Sequence, residues 1–253
     1  MKMQLIRHAT LLLEFNGYRI LVDPMLSPKE TMPPILNSTN DRRNPLVDLP
    51  LRADSLTQVD AIIITHCHPD HFDETAKQLL PKQIPVFCQP SDRDKLQEAG
   101  FSQVNPIQET LMWNGIRLDR TGGQHGTGEI GKLMGIVSGF VLHAEGEPSV
   151  YIAGDTIWCE DVEHALATYT PTITVLNTGA AQFATGDPIT MDVNDIVQVC
   201  QFAPNTQIIA VHMDSINHCL LTRNDLRHEL EARALIHRVL IPEDGEWVGD
   251  VSV

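Results

Sequence analysis

Thr65-His66-Cys67-His68-Pro69-Asp70-His71 places three imidazoles and one carboxylate on seven consecutive residues. It directly follows Val59-Asp60-Ala61-Ile62-Ile63-Ile64, a β-branched run that reads as a buried strand. The histidines therefore stand where the chain leaves a sheet and side chains can converge beyond its end. His66 and His68 are two residues apart, so an extended backbone points both to one side, a spacing suited to two ligands on one metal ion. Pro69 forces a turn, which redirects Asp70 and His71 to a second point nearby.

Working outward, residues 11–15 and 18–22 are apolar and β-prone and flank Asn16-Gly17, the pair that best supplies the two positive φ angles of a tight hairpin. Between Pro24 and Pro50 six prolines break any period, which predicts a long ordered loop or a lid. Beyond the histidine run the reading is a helix over 72–80, a strand over 85–87, and a helix over 91–99 with Ser91 as N-cap and Gly100 as terminator. A second Asn-Gly hairpin follows at 109–119, and a third pairs 136–143 with 149–153. Then come a helix at 160–168, a strand at 172–176, a polar loop at 177–188, a helix at 192–202 and a strand at 208–211. Thr222 with Asp225 caps a helix to about 235, before a last strand at 239–241. Hairpins and then alternating strands and helices, twice over, predict an α/β (α+β) fold. The expected architecture is a four-layer αββα sandwich of two mixed β-sheets with helices on the outer faces. No linker or shift of composition divides the 253 residues.

Composition narrows the function classes. Lys and Arg number 18 against 33 Asp and Glu, giving a formal charge of −15. Such a balance disfavours binding to nucleic acid or to an anionic membrane, since both need a dense basic face. The five cysteines never form a C-x-x-C pair, so neither a disulfide framework nor a structural cysteine zinc site is expected. The apolar run at 11–13 stops at Glu14, too short for a leader segment, and a cytoplasmic location is expected.

The motif THCHPDH resembles the signature of the metallo-β-lactamase fold superfamily of metal-dependent hydrolases. Further pieces of that pattern follow in order: His125 in Thr121-Gly122-Gly123-Gln124-His125-Gly126, Asp155 in Tyr151-Ile152-Ala153-Gly154-Asp155-Thr156, and His212 after Ile208-Ile209-Ala210-Val211. The ending Ile241-Pro242-Glu243-Asp244-Gly245-Glu246 is similar to the branch that contains ascorbate-6-phosphate lactonase. The resemblance implies one metallo-β-lactamase-like domain over 1–253. It implies a first metal on His66, His68 and His125, a second on Asp70, His71 and His212, and Asp155 bridging. Asp70 and Asp155 would be catalytic, with Asp70 also orienting the attacking water. The implied cofactor is two divalent ions, zinc by default and manganese or iron in some relatives, with metal-bound hydroxide as nucleophile.

His8, Asp23 and His218 are further candidates near that centre. Asp23 is placed to accept an N–H from a ligand histidine, and His218 to reach the substrate as a proton donor. Trp158, Glu160, the loop 178–187 and the segment 24–50 are expected to border the cleft. Arg117 and Arg120 are candidates to hold a phosphate or carboxylate, and Cys67 is expected to turn away into the core. The expected function is hydrolysis of a small ester-like substrate, a lactone, phosphodiester or thioester, and an anion is among the candidates. Two alternatives belong to the same superfamily: a single-iron dioxygenase acting on a thiol adduct, and a tRNA-processing nuclease, which the acidic charge disfavours. Neither nucleic acid nor a membrane is an expected partner, and the oligomeric state is left open by the sequence.

Overall fold

The computed structural model describes residues 1–248. In chain order the first half contains β1 (Lys2–Arg7), β2 (Thr10–Phe15), β3 (Tyr18–Val22), β4 (Ala61–Ile64), α1 (Glu74–Leu79), β5 (Val86–Cys88), α2 (Arg93–Glu98) and β6 (Val104–Pro106). The second half contains β7 (Thr110–Trp113), β8 (Ile116–Thr121), α3 (Gly128–Met134), β9 (Gly139–His143), β10 (Val150–Ile152), α4 (Glu160–Tyr169), β11 (Ile173–Asn177), α5 (Val193–Phe202), β12 (Gln207–Val211), α6 (Arg223–Ala232), β13 (Val239–Leu240) and β14 (Trp247–Val248). Asn16 and Gly17 take φ of +50° and +80°, and Asn114 and Gly115 take +49° and +80°, the backbone that a two-residue turn between twisted strands requires.

Two seven-stranded sheets result, ordered β14-β1-β2-β3-β4-β5-β6 and β13-β12-β11-β10-β9-β8-β7. Hairpin neighbours pair antiparallel, whereas β3 to β6 and β10 to β13 run parallel. The period of two along each strand divides its side chains between layers. Ile63 joins Phe87, Phe140 and Val211 in the core between the sheets. Its neighbours Ile62 and Ile64 pack outward with Ala76 of α1 and Leu96 of α2. On the far side Tyr151 and Leu176 pack against Val162, Ile196 and Leu226 of α4, α5 and α6. Each such aliphatic side chain contributes about 1.5–3 kcal/mol on leaving water. The order of layers is the expected αββα sandwich. Among the described residues, no helix is long and apolar enough to cross a membrane.

Residues 24–50 form an irregular strap across the rim. It is tied down by the buried Arg7 guanidinium, which donates to the carbonyls of Met25 and Ser27 at 2.9 Å and of Val47 at 3.1 Å. Burial pulls the Arg7 pKa down to about 10.

Several expectations about elements need correction. Ser91 does not cap a helix: residues 90–92 form a 3-10 turn, and α2 begins at Arg93. The helix after Thr222 stops at Ala232, because Ala234 turns left-handed at φ +54° and the Leu235 N–H returns to the Leu230 carbonyl at 2.8 Å. The strands β1, β6 and β14 and the helix α3 were not foreseen. β1 alternates poorly, β14 spans two residues, and α3 holds Gly128 and Gly131 in one short helix.

Candidate metal centre

Six strands end on one rim, and each delivers a side chain there. His8 follows β1, Asp23 follows β3, the run 65–71 follows β4, His125 lies beyond β8, Asp155 beyond β10, and His212 directly after β12. His8, Asp23 and His212 take φ of +61°, +43° and +70°, a left-handed backbone that L side chains adopt at a cost and that clusters at functional sites. The His212 N–H donates to the His8 carbonyl at 2.9 Å, which joins the rims of the two sheets.

The donor atoms gather in sets whose members lie within 4.8 Å of one another: His66, His68 and His125; and His8, Asp70, His71 and His212. Asp155 stands between them. Its Oδ2 is 3.2 Å from His71 Nε2, 3.5 Å from His125 Nε2 and 3.9 Å from His66 Nε2, while its Oδ1 is 3.3 Å from His212 Nε2. Within the sets, His66 Nε2 lies 3.0 Å from His68 Nδ1, and His71 Nε2 lies 3.3 Å from His212 Nε2.

The outward nitrogens of these rings are fixed by neighbours. His71 Nδ1 donates to Asp23 Oδ2 at 2.8 Å, and His125 Nδ1 donates to the Ile189 carbonyl at 2.8 Å. Asp23 also accepts from the Thr65 N–H at 2.8 Å and hydroxyl at 2.6 Å, so one buried carboxylate holds the start and the end of the histidine run. Asn177 Nδ2 donates to Asp155 Oδ1 at 2.7 Å. Such contacts set the tautomer and aim of each ring.

Electrostatics favour the same use. Burial opposes ionisation of Asp70 and Asp155. Even so, the His8 hydrogen bond and the His71 charge hold Asp70 well below the usual carboxylate range, and His212 and His71 do so for Asp155. Burial is the main cause that keeps His66 and His212 well below the ordinary imidazole value, hence neutral. Burial also opposes charge on His71, but Asp155 and Asp23 outweigh it and raise its pKa well above that value. The neutral rings of His66 and His68, with nitrogens 3.0 Å apart, repel unless a proton or a cation lies between their lone pairs, and the ionised Asp70 and Asp155 beside them call for positive charge. The donor set therefore fits divalent cations.

All seven residues with an expected ligand role, His66, His68, Asp70, His71, His125, Asp155 and His212, meet here. So does His8, whose Nε2 lies 3.3 Å from Asp70 Oδ2. His218 is buried, and its Nδ1 has no partner. Trp158 does not border the cleft: the chain turns into α4 two residues later, and its ring packs on Phe202 in the outer layer, 5.5 Å between centroids. Arg117 and Arg120 are engaged elsewhere, on Asp119 at 2.7 Å and on the Gln108 carbonyl at 3.0 Å. Cys67 packs against the outer core beside α1 and α2. Asn177, Thr65 and the Ile189 carbonyl escaped the sequence reading, for nothing in their local pattern marks them as supports.

The family model described as the beta-lactamase superfamily domain matches residues 18–213. The chain is 38% identical to the UPF0173 protein YddR of Bacillus subtilis (strain 168), over 95% of this chain and 96% of that one. It is 27% identical to the UPF0173 metal-dependent hydrolase Ta0764 of Thermoplasma acidophilum, over 73% of this chain and 78% of the relative. Among solved structures, the isothiocyanate hydrolase from Delia radicum gut bacteria superposes with a TM-score of 0.94 at 38% identity, covering 98% of this chain and 99% of that one.

Proposed function

Since the chain belongs to the beta-lactamase superfamily and is a metal-dependent hydrolase, we propose that it works with two divalent cations on a small carbon electrophile of the isothiocyanate class. One cation would be held by His66, His68 and His125, the other by Asp70, His71 and His212, with Asp155 shared. The observation that carries this reading is the position of Asp155, within 4 Å of histidines from both donor sets. Bound divalent ions, zinc first among them for so many imidazoles, supply Lewis acidity toward water and toward a substrate heteroatom.

The protein's own groups do the rest. Asp23, Ile189 and Asn177 hold the ring nitrogens and the shared carboxylate in place, so little reorganisation is needed when substrate arrives. Asp70, ionised and buried, accepts a hydrogen bond from the attacking water and orients it. His68 is the half-buried member of its set, while its neighbours are buried, so access is from its side. The substrate class comes from the similar isothiocyanate hydrolase. In that reaction the water oxygen bonds to the central carbon of R–N=C=S and the C–N bond breaks. The nitrogen leaves as a primary amine carrying both water protons, and carbonyl sulfide is the second product.

The test is metal analysis of protein purified without added metal, beside assays of amine release from alkyl isothiocyanates. Two divalent ions per chain with amine release are expected. One iron per chain with oxygen uptake and no hydrolysis overturns the reading, and turnover of lactones or thioesters alone overturns the substrate class.

A further inference from the structure

Helix α3 begins three residues after His125 and buries none of its side chains. Yet Ile130, Leu133 and Met134 form an apolar stripe along one face, at the i, i+3, i+4 spacing that elsewhere packs into a core. Across from it lie Ile35 and Leu36 of the strap and Phe183 of the loop before α5. Between them is a cavity of about 560 Å³, within the range of roughly 300–1,000 Å³ typical of small-molecule sites. Leu36 and Leu133 are 77% and 79% exposed, which is costly for side chains with nothing to cover. Among the described residues, no charged side chain lines the space.

Each wall connects to a segment that borders the metal centre. The helix leaves directly from the His125 turn. The Phe183 ring packs on the His218 ring, 6.1 Å between centroids, and His218 lies within the field of Asp70 and Asp155. The Ile35 N–H donates to Asn217 Oδ1 at 3.0 Å, next to His218, and the Ala184 N–H donates to the Asn37 carbonyl at 2.7 Å, which closes strap against loop. A stable dimer takes roughly 20–30 residues a side on a fairly flat surface. A hollow rimmed by a few apolar side chains suits a small ligand better.

We infer that this cavity is the subsite for the substrate's tail, and that it selects a neutral apolar group rather than an anion. The inference rests on the hydrolase reading above, and it replaces the anionic substrate left open by composition.

Two measurements on the metal-loaded protein test it. The first is fluorescence titration with N-phenyl-1-naphthylamine, a neutral apolar dye, on the wild type, on Leu133→Asp, and on Met112→Asp as a control at an exposed apolar residue of β7. Saturable binding is expected in the wild type and the control, at least tenfold weaker in Leu133→Asp, with metal content unchanged. The second is kcat/KM for methyl, propyl and pentyl isothiocyanate, expected to rise about three- to fourfold per methylene and to flatten in Leu133→Asp. Dye binding without any isothiocyanate turnover keeps the apolar subsite and removes the proposed substrate class. Turnover that ignores tail length, with no dye binding, removes the subsite and keeps the class. A wild-type dimer that Leu133→Asp converts to monomer, seen by sedimentation, assigns the patch to a second copy and overturns the inference.

Discussion

His8 has the most demanding position of any single residue. It is fully buried at φ +61°, its ring lies 3.6 Å from that of His212, and its Nε2 reaches Asp70. A histidine kept in that backbone conformation, against that desolvation, is explained by what it holds in place. His8→Ala is expected to fold but to weaken retention of metal by about 10–100-fold, measured as metal content after dialysis against a competing chelator. Retention equal to the wild type would show that His8 only packs. Cys67 makes the opposite case, a residue inside the motif but outside its chemistry. Burial, and then Asp92, push its thiol pKa well above the ordinary value, so the thiolate is scarce at pH 8 and grows as pH rises. Iodoacetamide labelling at Cys67, followed by mass spectrometry, is expected to be slow at pH 8 and to gain about tenfold per pH unit up to pH 10. A plateau below pH 9 would contradict this.

Among the elements, β10 and the turn after it set the position of Asp155. Gly154 takes φ +70°, and a Cβ there would stand 2.6 Å from the Ser138 carbonyl. Left-handed backbone costs a non-glycine residue roughly 1–2 kcal/mol, and the carbonyl must also move. Gly154→Ala is therefore expected to lower Tm by about 2–8 °C for a chain of this size and to shed metal, read by calorimetry and metal analysis on the same sample. This scale also explains what could be read in advance. The Asn-Gly turns, the β-branched run at β4 and the capping of α6 depend on residues within a few positions of each other, so their signals are local. The run 65–71 was legible for the same reason. His8 and Asp23 were placed near the centre by the family resemblance alone, but the partner of His8, Asp70 across 62 positions, was not legible, nor was Asn177, which meets Asp155 across 22. Helix α3 was missed because its apolar stripe packs into no core, and its glycines argue against a helix.

At the scale of the molecule, the centre works as a clasp between two sheets whose cores are otherwise joined by apolar contact. Ions that bind the folded chain at a hundred times their dissociation constant add about 2.7 kcal/mol. Removal by chelator is expected to lower Tm by roughly 5–11 °C and readdition of a divalent ion to restore it, followed by differential scanning fluorimetry. An unchanged Tm would mean that the folded chain holds no ion. The clasp also has a history in time. His71 and its neighbour His212 stand 141 residues apart in the chain. At roughly 5–20 residues per second on the ribosome, that separation is about 7–30 s of synthesis. For that interval the nascent histidine run has His8 and Asp23 already made but lacks His212. Any ion it captures early must be held by fewer donors than the finished centre offers, and is correspondingly free to leave.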